Sequence, residues 1–384
     1  MVAQLQAGQE VDRYRVEWVL SEGGMASVFR VRHSTLGTKH ALKVLSISTT
    51  DIRQRLIQEG RMQATLQHPN IVSVSDVLDV GGVPGLLMEY IEGPSLDQWT
   101  YRYRPALHEA LAVYRGIVGG VAHAHDNGLI HRDIKPGNIL LQVGADGIIP
   151  KVTDFGLAKF AQVSDAPKRT RPGTTMGTPQ YMSPEQMRDA SKVDHRADLF
   201  SLGCILYELI CGIPPFQGED LVELINVVCR GEYMPIADRV KGVPDEVIAT
   251  VTDLLQPDPT RRIGSCAEIL ERLQPKKGWL QINASGGLMD YSIDQLMDGG
   301  LNVLPLDGPA ADAITALIIE SRDRTVPMEE QGTWRDSLDD IEPIQHQRSD
   351  ARRSQHNLNR NMVWTATLLL ALFAAIIGAG LATF

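Results

Sequence analysis

Apolar and polar positions alternate through Tyr14–Leu20, Ser27–Arg32 and Lys39–Leu45, the period of a half-buried strand, and Glu22-Gly23-Gly24 forms a turn between the first two runs. The spacing predicts three short strands in a small antiparallel sheet. Residues 51–67 switch to helical spacing, with Ile52, Leu56, Ile57, Met62 and Leu66 on one stripe, until His68-Pro69 ends the run. A further strand pair is expected through Tyr90. From about residue 105 the pattern is mainly helical, over 108–127, 194–211 and 219–230, with turn-rich stretches between. Strands come first, helices follow and nothing repeats, so an α+β chain with two lobes is expected.

The last hundred residues read differently. Residues 276–361 mix Gly, Pro and Asp runs with one short helical stretch, Ala310–Ser321, and read mainly as linker. Met362–Phe384 is 23 residues without a charge or a proline, about 35 Å as a helix and long enough to cross a hydrocarbon core. A buried core helix is the competing reading, but this segment has no polar face to leave outside. Arg352, Arg353 and Arg360 precede it and Trp364 stands at its entry, so the preceding chain is expected on the cytoplasmic side. Met1–Glu10 lacks the charged and then apolar pattern of a secretory signal. The expected order is a tail at 1–10, a folded body at 11–274 (small lobe about 11–90, large lobe about 91–274), an acidic juxtamembrane linker at 275–361, and a single transmembrane helix at 362–384 that anchors the body to the cell membrane.

Composition narrows the class. With 384 residues, 43% apolar and 22% charged, the chain can fill one large or two ordinary cores and is not a disordered polymer. The net charge of -10 is carried by residues 290–342, where 13 Asp and Glu face three arginines. The remainder is neutral, so no basic surface calls for nucleic acid. Cys204, Cys211, Cys229 and Cys266 form no C-x-x-C pair, which encodes neither a disulfide framework nor a zinc site and suits a reducing compartment. Cys204 and Cys211, seven apart on one helix face, are expected in the core. His123, His125 and His131 carry no H-E-x-x-H spacing.

The densest polar signal is His131-Arg132-Asp133-Ile134-Lys135-Pro136-Gly137-Asn138, with Asp154-Phe155-Gly156 beginning 21 residues after Asp133. These residues resemble the catalytic loop and metal-binding triplet of the eukaryotic-type serine/threonine protein kinases, in their bacterial form. The resemblance covers about residues 11–274 and implies the two-lobed kinase fold: a small antiparallel β lobe with one helix, and a larger, mainly helical lobe. It further implies ATP and Mg²⁺, with Mn²⁺ as the alternative metal. Phosphoryl transfer needs divalent metal, a positioned hydroxyl and little covalent help from protein, which suits carboxylates, an amide and lysines. Asp133 would then be the catalytic base and Lys135 would point at the transferred phosphate, as in serine/threonine-specific members. Asn138 and Asp154 would be the metal ligands. A lone Asp in a loop more often makes an Asx-turn; this ordered set argues otherwise.

Other motifs extend the resemblance. Ala41-Leu42-Lys43 resembles the A-x-K whose lysine holds the α and β phosphates, and Glu59 stands where the family's lysine has its ion-pair partner. Met88-Glu89-Tyr90-Ile91 resembles gatekeeper and hinge, with backbone groups of Glu89 and Ile91 on the adenine edge. The glycine-rich loop departs from G-x-G-x-x-G-x-V: aligned on Val28, it keeps Gly23 but has Ser21 and Ala26 in place of the first and third glycines. The added β-carbons are expected to stiffen the lid that follows Leu20. Gly177-Thr178-Pro179 and Ser183-Pro184-Glu185 resemble the end of the activation segment. Thr178 would sit beside Asp133 and Glu185 would pair with Arg262. Arg132 would grip a phosphate on Thr174, with Thr170 and Thr175 as the other candidates. Asp198, opening the central helix, would brace the catalytic loop, and His131 would prop the Asp-Phe-Gly turn.

The resemblance implies a self-activating protein serine/threonine kinase. Its partners would be protein substrates, the membrane through the C-terminal helix, and a second copy of the chain as a candidate homodimer; nucleic acid is not among them. A membrane-tethered pseudokinase scaffold is the alternative, resting only on Ser21 and Ala26. A small-molecule phosphotransferase would need neither Lys135 nor the segment from Gly177 to Glu185.

Overall fold

The computed structural model describes residues 5–23, 26–45, 50–144, 147–155, 179–189 and 193–275, all within the first of two compact units, Met1–Glu329; the second, Glu330–Phe384, lies outside the described residues. So do the Ala310–Ser321 stretch and the expected membrane segment 362–384. Among the described residues no helix is long and apolar enough to cross a membrane.

The small lobe is a six-stranded sheet: β1 (Glu10–Val11), β2 (Tyr14–Glu22), β3 (Ala26–His33), β4 (Lys39–Leu45), β5 (Val74–Val80) and β6 (Val83–Glu89), all antiparallel, in the spatial order β1-β2-β3-β4-β6-β5. One helix, α1 (Thr50–Ala64), joins β4 to β5. The alternation in β2–β4 sends Val16, Phe29, Val31, Leu42 and Val44 into one apolar cluster. Leu5, expected in a loose tail, is 1% exposed in that same cluster, and Val11 in β1 joins it. The chain thus enters the fold earlier than its pattern indicates, because a single buried leucine has no periodicity to read.

The large lobe is built on α3 (Leu107–Asp126) and α5 (Arg196–Cys211), both buried along most of their length. Around them lie α2 (Leu96–Arg102), α4 (Pro184–Asp189), α6 (Leu221–Arg230), α7 (Ile236–Arg239), α8 (Asp245–Leu254) and α9 (Cys266–Arg272). Cys204 and Cys211 are buried in this core, where desolvation raises both thiols above their ordinary pKa. Helix α5 stops at Gly212, which takes the left-handed φ of 70° that a helix C-terminus uses cheaply. Helix α6 starts on Asp220, whose carboxylate accepts the Glu223 N–H at 2.8 Å.

The mainly helical pattern past residue 105 hides one hairpin, β7 (Ile139–Gly144) with β8 (Gly147–Val152). Its strands are short and largely buried, β8 against α3 and β7 beside α2, without the alternation of a half-wet strand. The hairpin binds the lobes to each other through Val152, which donates to Asn70 O and whose carbonyl accepts from Val72 N, both at 2.9 Å, while Leu141 donates to Pro94 O at 2.8 Å within the large lobe. Gly93 permits that last approach, since a β-carbon there would stand 1.8 Å from Leu141 O.

Candidate active site

The loop from His131 to Asn138 is fixed through many of its backbone groups. Asp198, fully buried in the first turn of α5, accepts the N–H groups of His131 at 2.8 Å and Arg132 at 2.7 Å, and His125 Nε2 at 2.8 Å. Gln186 of α4 donates to Arg132 O at 2.8 Å. His131 Nδ1 accepts the Asp133 N–H at 3.2 Å, which leaves the hydrogen on Nε2 to donate to Thr153 O at 2.8 Å. Its ring packs on Phe155 at 4.6 Å between centroids. His131 is thereby the joint between the loop and the Asp154 turn.

Asp133, Lys135 and Asn138 form one hydrogen-bonded group. Lys135 Nζ donates to Asp133 Oδ2 at 2.8 Å, and Asn138 Nδ2 donates to Asp133 O at 2.8 Å and Oδ2 at 3.0 Å. Asn138 O in turn accepts the Thr153 N–H at 3.0 Å, so the residue before Asp154 is tied to the residue that ends the loop. Both Arg132 and Asp154 hold positive φ, 66° and 67°. A non-glycine residue there costs about 1–3 kcal/mol, tolerated where surrounding bonds over-determine the backbone.

From the small lobe, Lys43 on β4 reaches across to Asp154, Nζ to Oδ1 at 2.7 Å, with its side chain only 7% exposed. Burial alone would raise the Asp154 carboxyl, but the Lys43 ammonium, with His131 and Lys135 beside it, outweighs that and holds it below the usual carboxylate value. The resemblance implies Glu59 as partner of Lys43. Glu59 is on α1, but its side chain lies outside the described residues, and the carboxylate found on Lys43 is that of Asp154.

Between the lobes an apolar cluster gathers Leu20, Val28, Ala41, Met88 and Ile91 with Leu140 of β7. Leu20, Val28, Ala41 and Ile91 are expected ATP-binding residues, Ile91 on the adenine edge, and Met88 is the expected gatekeeper. Leu140 is an addition no motif marks. Ser21 pairs with Val28 in register, and Gly23 follows β2, donating to Ala26 O at 2.9 Å. No backbone acceptor among the described residues takes the Ile91 N–H. Glu89 ends β6; its carboxylate accepts Lys151 Nζ at 2.9 and 3.1 Å and the Ser73 N–H at 2.9 Å. Lys151 is 8% exposed and stands three residues before Asp154, an inter-lobe pair with no motif to reveal it.

Glu185 and Arg262 make a two-pronged pair at 2.7 and 3.2 Å, with Arg262 also bonded to Gln256 O. Arg132 gives one guanidinium N–H to Val193 O at 3.2 Å, while its buried Nε has no hydrogen-bond partner among the described residues. Gly156, Thr170, Thr174, Thr175, Gly177 and Thr178 lie outside the described residues.

The donor set fits a hard cation that shares phosphate oxygens. Asn138 spends its NH₂ on Asp133, which leaves Oδ1 as an acceptor, and Asp154 meets Lys43 and Thr153 through Oδ1, leaving Oδ2. No group of three or more His, Cys, Asp or Glu able to hold a metal occurs among the described residues, so such an ion would need the oxygens of a bound substrate.

The family description that matches the chain is the protein kinase domain, over residues 14–273. Serine/threonine-protein kinase PknB of Mycobacterium tuberculosis is 32% identical over 331 residues, 84% of this chain and 52% of that protein. PknB of Mycobacterium leprae is 34% identical over 266 residues, 67% of this chain and 42% of the relative. Serine/threonine-protein kinase pkn3 of Myxococcus xanthus is 40% identical over 221 residues, 55% of this chain and 40% of the relative. The alignments span about half or less of these relatives' lengths.

Proposed function

The chain belongs to the protein kinase family, and from that premise we propose that it transfers the γ-phosphoryl group of ATP to serine and threonine hydroxyls of proteins. The observation that carries this reading is the ion pair of Lys43 with Asp154 at 2.7 Å beside the Asp133–Lys135–Asn138 group. These side chains come from both lobes, and the apolar cluster that includes Leu20, Val28, Ala41, Met88, Ile91 and Leu140 supplies the surface on which this reading places the adenine.

In this reading the adenine lies among Leu20, Val28, Ala41, Met88, Ile91 and Leu140, with backbone groups of Glu89 and Ile91 on its polar edge. Lys43 holds the α and β phosphates, and Ser21 and Gly23 cover them. Asn138 and Asp154 hold Mg²⁺ or Mn²⁺, which offsets charge on the transferred group. Asp133 orients the acceptor hydroxyl and takes its proton as the new O–P bond forms and the bond to the ADP oxygen breaks, a contribution of about 10²–10⁴ in rate. Lys135 faces the transferred phosphate. The Nε of Arg132, without a hydrogen-bond partner among the described residues, supports a site for phosphate on Thr174, or on Thr170 or Thr175, so that self-phosphorylation would order the segment carrying Thr178.

The full chain given γ-labelled ATP and Mg²⁺ tests this. Acid-stable label on protein serine and threonine is expected; label on tyrosine or only on small molecules, or none at any nucleotide concentration, contradicts it.

Residues 362–384 are proposed as a single-pass anchor with the catalytic body on the cytoplasmic side, on the strength of 23 uncharged residues behind Arg352, Arg353 and Arg360. Two bodies held on one membrane would meet as a homodimer. A chain cut at Gln355 should leave the membrane fraction and keep its activity; if it still sediments with lipid, the anchor is elsewhere.

A further inference from the structure

Arg30 is an arginine in a place where a strand residue of the small lobe would ordinarily be apolar. It is 6% exposed and sits between two aromatic faces, its guanidinium carbon 3.9 Å from the centre of the Trp18 ring and 4.9 Å from that of Tyr90. Its charge is met by Glu17, Nε to Oε2 at 2.7 Å, an ion contact without the alignment of a hydrogen bond. Register shifts flank Trp18 on β2, between Val16 and Trp18 and between Val19 and Ser21. Bulges of this kind re-aim side chains.

The three residues come from three segments around the proposed nucleotide site. Trp18 lies on β2, the strand that runs on to Leu20, Ser21 and Gly23. Tyr90 lies between Glu89 and Ile91, just after β6. In the sheet β2 and β6 are separated by β3 and β4. Arg30, on β3, is paired in register with Trp18 on one side and Ala41 on the other. Its planar, permanently charged head stacks on both rings at once, which a lysine ammonium cannot do.

We propose that Arg30 is a positioning residue for nucleotide binding: stacked between Trp18 and Tyr90, it bolts the strand carrying the phosphate-covering loop to the hinge that holds the adenine edge. The inference rests on the kinase reading above and deepens it. One ATP must be met at both ends, so a fixed spacing between loop and hinge removes an ordering cost from binding. The catalytic group Asp133–Lys135–Asn138 lies in the other lobe and is untouched, so the device acts on affinity and leaves the chemical step alone.

The test compares the full chain with Arg30→Met, Arg30→Lys, Tyr90→Leu and the Arg30→Met/Tyr90→Leu pair. Each is assayed for KM and kcat with ATP, for affinity toward a fluorescent ATP analogue, and for Tm. Arg30→Met should raise KM and the analogue's Kd about tenfold with kcat within twofold. Arg30→Lys should recover only part of the loss, and the double variant should be no worse than Arg30→Met. Unchanged KM and Kd, additive losses, or a fall in kcat that tracks Tm would overturn the proposal; Tyr90→Leu decides the matter if Arg30→Met does not fold. If the wild type binds the analogue but transfers no phosphate, the kinase reading fails while the Kd values still judge Arg30. If it binds no nucleotide, both fall.

Discussion

Lys43 and Asp154 meet at 2.7 Å across the gap between the lobes, the small lobe's only buried lysine joined to a carboxylate held at positive φ in the large lobe, among the described residues. Neither group is cheap to keep alone. A buried ammonium or carboxylate without its partner carries an uncompensated desolvation cost, so the pair is retained for what it positions. Lys43→Met should cut phosphoryl transfer by at least about 10²-fold, because in the proposed function it loses the charge on the donor phosphates. Steady-state kinetics at saturating ATP checks this, and a loss below threefold would argue against the assigned role.

The Glu89–Lys151 pair ties the start of the hinge to the strand that leads into Asp154. Lys151 is nearly buried while the Glu89 side chain is 27% exposed, so Lys151→Met should destabilise the fold by about 1–3 kcal/mol, less than for a fully buried pair. Adding Glu89→Gln should restore part of that loss, because the stranded charge is then gone. Denaturant titration of the four-member cycle gives the coupling directly; strictly additive losses would mean the pair contributes nothing as a pair.

Glu208 on α5 accepts the Tyr181 hydroxyl at 2.5 Å. Burial, with Asp97 nearby, outweighs that hydrogen bond and lifts the carboxyl from its ordinary 4.5 to about 7. The folded state therefore holds a proton that the unfolded chain releases above 4.5. Its stabilising effect is complete below 4.5 and is lost as pH rises toward about 7, up to about 3 kcal/mol. Glu208→Gln should remove this slope, so the stability difference between wild type and variant should widen from pH 5 to pH 8. Thermal unfolding across that range checks it; parallel curves would place the Glu208 pKa at its ordinary value.

What could be read from the chain depended on whether the residues sit together in sequence. His131 to Asn138 is one uninterrupted run, and its internal bonds, Lys135 and Asn138 onto Asp133, span two and five residues. The distant pair Glu185–Arg262 and the bracing of the catalytic loop by Asp198 were legible only through resemblance to a family. The β7–β8 hairpin was not, since its apolar runs have no period that separates strand from buried helix. Nor were Lys151 on Glu89 or Arg30 between Trp18 and Tyr90: each joins residues far apart in the chain, and a single buried cation carries no pattern until its partners are placed. Leu5 shows the same limit at the N-terminus.

In the proposed function Asp133 prepares the acceptor hydroxyl while Lys43, Asn138 and Asp154 hold the donor. Phosphate transfer and ATP-analogue binding, measured side by side in the full chain and in Asp133→Asn, separate the two roles. The expected result is binding within about threefold of wild type and transfer reduced by about 10²–10⁴. Transfer that persists in Asp133→Asn at near the wild-type rate would contradict the account.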